Sequence, residues 1–242
     1  MTRPFLWAHR GASCCAPENT MTAFASAVES GCDGIELDIH LTRDGIPVVI
    51  HDETLQRTTD GCGPVAARTW QQLRQLDAGS WFAAEFAGES IPSLEEVLQT
   101  FGGRLRLNLE IKEFRAGMAV LELLGHYPSA QIVVSSFNDD LLQRLRSTNA
   151  QLPIAVLFDS GNWRQAVQFA QDLSACAFHP AVNLVTRPLI AACVHAGLPV
   201  SVWTVDRACV ARSLVRAGIS GLFTNDPATL NAVFSNRLSQ PD

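Results

Sequence analysis

The chain is short of charge, and shortest of positive charge. Only 17% of its 242 residues are charged, and 18 lysines and arginines face 24 aspartates and glutamates, a net charge of −6. That balance supplies no basic face to displace counterions from nucleic-acid phosphates, so no nucleic-acid partner is expected. Long apolar runs are also missing. The stretch free of Asp, Glu, Lys and Arg from Pro188 to Val205 is interrupted by His195, Gly197 and Pro199. It reads as helix, turn and strand rather than as a bilayer span. The N-terminus has no cationic segment followed by an apolar one, so no signal peptide is expected, and the protein is expected to be cytoplasmic. The seven cysteines form no spacing framework, and Cys176 with His179 makes one C-x-x-H without a second pair. Reduced thiols packed as small hydrophobes explain them better than zinc or disulfides. With 47% hydrophobic residues, a chain of this length buries a full core as one domain, 1–242.

What is present is an alternation of strand and helix signals. Phe5–His9 is a short apolar run. Pro17-Glu18-Asn19-Thr20 opens a helix that Gly31 stops. Asp33–His40 and Ile46–His51 are the next strands. Residues 52–92 break the rhythm with glycines and with Trp70, Trp81, Phe82 and Phe86, and read as a small inserted subdomain. Ser93 and Glu96 then form a capping box, and strands Arg104–Lys112, Ile132–Ser136, Ile154–Phe158, Ala175–His179, Val200–Val205 and Gly221–Asn225 follow with helices between them. Asp206 is placed as the cap of the helix that ends at Gly218. The pattern predicts an α/β fold, a (β/α)8 TIM barrel with a small insertion after the second strand, one early strand pair being a hairpin. A doubly wound open sheet is the alternative, weakened because no G-x-G-x-x-G follows the first strand.

Polar residues recur at the carboxyl ends of these strands, where barrels carry their chemistry. Glu36 and Asp38 lie two residues apart on one strand and so point to the same face, about 7 Å apart. Asn108, Glu110 and Lys112 follow the same rule on another. Three inward carboxylates repel unless a cation or protons neutralise them. All-oxygen ligands suit a single hard divalent ion, Mg²⁺ or Ca²⁺, that also meets phosphate oxygens. A glycosidase-like carboxylate pair is the rival, disfavoured by the nearby histidines and Lys112. His9 and His51, ending different strands beside the carboxylates, are the expected general acid and base, with their order left open. Lys112 is expected to stabilise charge on the reacting phosphorus, a salt bridge to Glu110 being the plainer reading.

In order along the chain, His9-Arg10-Gly11, Pro17-Glu18-Asn19-Thr20, Glu36-Leu37-Asp38, Thr42-Arg43-Asp44-Gly45, His51-Asp52, Arg57-Thr58, Asp77–Trp81, Asn108–Lys112, Ser135-Ser136-Phe137, Val202–Val205 and Thr224–Pro227 resemble the signature of glycerophosphodiester phosphodiesterases, most closely the cytosolic bacterial type. The resemblance implies a TIM barrel, a divalent metal on Glu36, Asp38 and Glu110, and His9 and His51 as acid/base pair. It also implies hydrolysis of a small-molecule glycerophosphodiester to sn-glycerol 3-phosphate and an alcohol. Arg10 would then contact phosphate, and Trp203 glycerol or the head group. No stable membrane association is expected, and a homo-oligomer is left open. A phospholipase-type phosphodiesterase acting on membrane lipid is the alternative, and a silent binding barrel a more distant one. Two positions depart from the family pattern: Asp206, where Asn is common, and Cys14-Cys15 in the loop after His9. Both are expected to affect loop shape and head-group preference rather than the reaction.

Overall fold

A computed structural model describes residues 3–235. In chain order the elements are β1 (Phe5–His9), α1 (Met21–Glu29), β2 (Gly34–Leu41), β3 (Pro47–Val49), α2 (Trp70–Leu73), α3 (Leu94–Phe101), β4 (Arg106–Ile111), α4 (Phe114–Leu124), β5 (Ile132–Ser136), α5 (Asp139–Thr148), β6 (Ile154–Phe158), α6 (Trp163–Asp172), β7 (Ala177–Pro180), α7 (Arg187–His195), β8 (Ser201–Val202), α8 (Ala208–Ala217), β9 (Gly221–Thr224) and α9 (Pro227–Ser235). The parallel strands run in the order β7-β6-β5-β4-β2-β1-β9-β8. Parallel bridges from Phe178 to Val200 and from Ala181 to Trp203 join its two edges. The result is the expected barrel of eight parallel strands, with helices as crossovers. The early strand pair is a hairpin: β3 runs antiparallel to β2, with His40 opposite Val48.

Local chemistry explains the helix starts. Ser93 and Glu96 exchange the expected capping bonds, Glu96 N to Ser93 Oγ at 3.2 Å and Ser93 N to Glu96 Oε2 at 2.8 Å. Asn138 Oδ1 accepts from Leu141 N at 2.9 Å. One expected cap is wrong. The N-cap of α8 is Arg207, without a side-chain bond, and the Asp206 carboxylate is engaged by Thr224 and Asn225 instead.

The main apolar core lies between the barrel and the helices, where Ile35, Leu37, Ile39, Leu107, Leu109 and Ile111 are buried. Alternate residues of the same strands therefore face the barrel axis. Residues 52–92 lie between β3 and α3, and their Leu55, Val65, Leu73, Ala78 and Ile91 pack with Val48 of β3 and Ile50 in a second small cluster. Gly79 permits the tightest passage of this segment, since a Cβ there would come within 1.9 Å of the Phe86 carbonyl oxygen. Among the described residues no helix is long and apolar enough to cross a membrane.

Inside the barrel, His179 is buried with its Nδ1 unpaired and its ring edge-on to Phe223 at 4.9 Å. Burial pushes its pKa from 6.5 down to about 3. The unfolded chain takes up a proton that the native imidazole refuses, so stability falls as pH drops from 6.5 towards 3, by up to about 1.4 kcal/mol per pH unit. Urea denaturation across that range should show this slope flattening in His179→Gln. A slope that survives the substitution assigns the acid sensitivity to another group.

Candidate active site

The carboxyl end of the barrel collects the polar side chains. β1 delivers His9, and the chain then turns through Arg10 and Gly11, both at positive φ (58° and 85°). A non-glycine residue held in the left-handed region is strained and persists where neighbours fix it. Here the turn folds the Arg10 guanidinium back into the site. Its Nε lies 3.3 Å from Asp38 Oδ2 and its Nη1 bonds Glu18 Oε1 at 2.9 Å, while its backbone N–H donates to Glu36 Oε2 at 3.0 Å. Gly11 is required for a second reason: a Cβ there would sit 2.7 Å from Ala23 Cβ, against the start of α1.

Register places the carboxylates. Asp38 of β2 lies opposite Glu110 of β4, and Glu36 opposite Asn108. One oxygen each from Glu36, Asp38 and Glu110 falls within 4.8 Å of the others. Lys112 Nζ reaches Asp38 Oδ1 at 2.8 Å and also bonds Glu110 Oε1. Burial, and then repulsion from Asp38 and Glu110, holds Glu36 well above the usual carboxylate range. Burial and Asp38 raise Glu110 as well. Burial alone would raise Asp38, but Lys112 and Arg10 outweigh it and hold that group low. Glu36 Oε1 is buried without a hydrogen-bond partner. A buried carboxylate oxygen with no donor, in a set of oxygen ligands that disfavours its own ionisation, fits a hard divalent cation.

The histidines are held by different neighbours. His9 Nδ1 lies 2.8 Å from Asn225 Oδ1, which also accepts from Ser13 Oγ at 3.0 Å. Asp206 fixes that amide. Its Oδ2 accepts from Asn225 Nδ2 and its Oδ1 from Asn225 N, both at 2.8 Å. A carboxylate only accepts, so the amide oxygen is left for His9, and His9 carries its proton on Nδ1. The bare Nε2 then faces Glu36, 3.9 Å from Oε2. Asp206 thus reaches His9 through one residue, Asn225, without touching the ring itself. Burial and the adjacent Arg10 lower the His9 pKa, favouring the neutral ring.

His51 follows β3. Its carbonyl is 3.0 Å from His40 Nε2, and its Nδ1 is 2.6 Å from Asp52 Oδ1. Arg57 forks between two carboxylates, with bonds to Asp52 at 2.7 and 2.9 Å and to Glu18 at 2.8 Å. Hydrogen bonds from Arg57, and then from His51, hold Asp52 low. A chain of alternating charge therefore runs from Arg10 through Glu18, Arg57 and Asp52 to His51.

The polar side chains of His9, Arg10, Glu36, His51, Glu110 and Lys112 share a cavity of about 210 Å³ with the apolar Phe137, Leu157, Trp203 and Phe223. Of the residues singled out from sequence, Asp38 alone lies behind the cavity wall, buried against Arg10, Lys112 and Asn19. Trp203 donates from Nε1 to the His179 carbonyl at 2.8 Å and meets Phe137 edge-on at 5.6 Å. Sequence reasoning gave no site role to Asn225, Asp206, Glu18, Asp52, Arg57 or Asn108. Most of them stand inside the motifs quoted above, beside residues that were singled out. A larger cleft, about 650 Å³, lies at the opposite end of the strands around Arg106, Tyr127 and Cys176 and presents no carboxylate or histidine.

Residues 9–229 match the model of the glycerophosphoryl diester phosphodiesterase family. A glycerophosphodiester phosphodiesterase of Caldanaerobacter subterraneus subsp. tengcongensis is 38% identical over 233 residues, covering 92% of this chain and 94% of the relative. One from Bacillus altitudinis is 35% identical over the same shares of each chain. Among solved structures, an Oleispira antarctica phosphodiesterase in complex with the product sn-glycerol-3-phosphate superposes with a TM-score of 0.88 at 30% identity, covering 96% of this chain and 97% of the other. A glycerophosphodiester phosphodiesterase from Agrobacterium tumefaciens gives 0.85 at 31% identity, over 96% and 100%.

Proposed function

The chain belongs to the glycerophosphoryl diester phosphodiesterase family and is an enzyme of that kind, a phosphoric diester hydrolase; from that premise we propose that it converts glycerophosphodiesters such as glycerophosphocholine or glycerophosphoethanolamine to sn-glycerol 3-phosphate and an alcohol. The observation that carries this reading is the convergence of two imidazoles, an arginine and a lysine on one cavity beside a buried carboxylate cluster.

The roles follow from the contacts. His9 is the general base: neutral, with Nδ1–H turned to Asn225, it offers Nε2 to the proton of the nucleophile, which is water, or the glycerol 2-hydroxyl in a route through a cyclic phosphate that water then opens. His51 is the general acid. The Asp52 carboxylate holds its Nδ1 and so orients the ring, and Nε2–H protonates the departing alcohol. Arg10 and Lys112 supply donors for the phosphate oxygens as charge builds on them. Trp203 packs against glycerol or the head group from the apolar side. A divalent cation, Mg²⁺ or Ca²⁺, held by Glu36, Asp38 and Glu110 would offset phosphate charge and polarise the phosphorus centre.

The test is release of glycerol 3-phosphate from a panel of glycerophosphodiesters, with EDTA and with each metal added back. Release that stops in EDTA and returns with Mg²⁺ or Ca²⁺ is the expected result, and Glu36→Gln should raise the metal concentration required. Rates indifferent to EDTA would remove the cation from the scheme. No release from any diester would remove the hydrolase reading itself.

A further inference from the structure

Asn108 has no part in the chemistry assigned above, yet its surroundings are unusual for an amide. It sits on β4 with Glu110, one inward step deeper in the barrel, and lines the cavity beside His9, Arg10 and Glu36. The residue is 1% exposed, and neither Oδ1 nor Nδ2 has a hydrogen-bond partner. Its register neighbour Glu36 also has a free oxygen, Oε1, so the two side chains do not satisfy each other. A buried amide left unpaired on both sides is costly. The group that completes it enters through the cavity.

The chemistry of the amide selects that group. Asn presents an acceptor oxygen and a two-donor nitrogen side by side. A cation engages only the oxygen. A phosphate oxygen engages only the nitrogen. A hydroxyl both donates and accepts, and so answers both. Depth selects further: Arg10 and Lys112 take the phosphate nearer the mouth, and the part of the substrate that reaches past them is the glycerol. We propose that Asn108 is a specificity-determining residue that binds a glycerol hydroxyl and so distinguishes glycerol phosphates from plain alkyl phosphates. This rests on the phosphodiesterase reading above.

The experiment is calorimetric titration of the Mg²⁺-loaded protein with sn-glycerol 3-phosphate and with n-propyl phosphate, which has the same chain without hydroxyls. The wild-type protein should prefer the glycerol compound. Asn108→Leu, close in volume and apolar, should reduce that preference roughly tenfold or more by weakening glycerol 3-phosphate alone, the worth of two neutral hydrogen bonds. Asn108→Ser, smaller and still polar, should give an intermediate preference and carries the test if the leucine variant does not fold. Mg²⁺ affinity, titrated separately, should not change. An unaltered preference, an equal loss for both phosphates, or a loss of Mg²⁺ affinity would each overturn the assignment. A wild-type protein that binds neither phosphate would sink the phosphodiesterase reading as well, whereas one that binds both with a preference indifferent to Asn108 sinks only this one.

Discussion

Replacing His9 or His51 by alanine lowers turnover by roughly 10²–10⁴-fold, the usual worth of a positioned acid or base, while the fold survives. Both rings sit at the rim of a preformed cavity, outside the main apolar core, so removing either leaves the packing of the barrel in place. Near-UV circular dichroism checks the fold, and glycerol 3-phosphate release checks the rate. The two variants differ in their pH dependence. A base must be neutral to act, and burial with Arg10 nearby holds His9 below its ordinary 6.5. In the parent enzyme the acidic limb of kcat/KM should therefore lie below that pH, and this limb should be absent from His9→Ala. Near-normal turnover in both variants would refute their assignment.

The second large effect is expected at Lys112. Its ammonium is the shared partner of Asp38 and Glu110. Lys112→Met keeps the aliphatic stem and deletes the charge, leaving two buried carboxylates with less to offset them. Removing one member of a buried ion pair leaves uncompensated charge, so about 3 kcal/mol of stability should be lost in EDTA, the lower end of the range for such changes. Millimolar Mg²⁺ or Ca²⁺ should restore part of it, because an ion that binds only the native state stabilises by mass action. Activity should stay about 10²–10³-fold down even with metal, since a donor aimed at developing charge is gone. Urea denaturation with and without metal measures the first effect and steady-state kinetics the second. A variant as stable as its parent in EDTA would mean that the ammonium does not offset the cluster.

Much of this arrangement was legible because strand periodicity is short-ranged. Glu36 and Asp38, or Asn108 and Glu110, declare a shared face by their spacing of two, and Ile35, Leu37 and Ile39 declare the opposite one. The order of strand and helix signals was enough to predict the barrel. What the sequence hid were bonds between distant segments. Arg57 and Glu18 are 39 residues apart, and Asn225 lies 216 residues from His9; no local pattern ties such pairs. Asp206 shows how a local rule fails. An aspartate just before a helix is ordinarily its cap, but the hydroxyl of Thr224 and the amide of Asn225 compete for the same two oxygens and win them. Asn108 was visible as an inward residue, but the absence of partners around it is a property of the assembled barrel.

The link between Asp206 and Asn225 has a practical consequence for anyone building chimaeras from this scaffold. The two residues come from successive loops at the rim, after β8 and after β9, and act as one part that sets which imidazole nitrogen of His9 is left bare. Transplanting either loop alone from a relative with a different residue at 206 would let the Asn225 amide rotate and disturb His9, which the loop after β9 touches and the loop after β8 does not; the pair should be moved together.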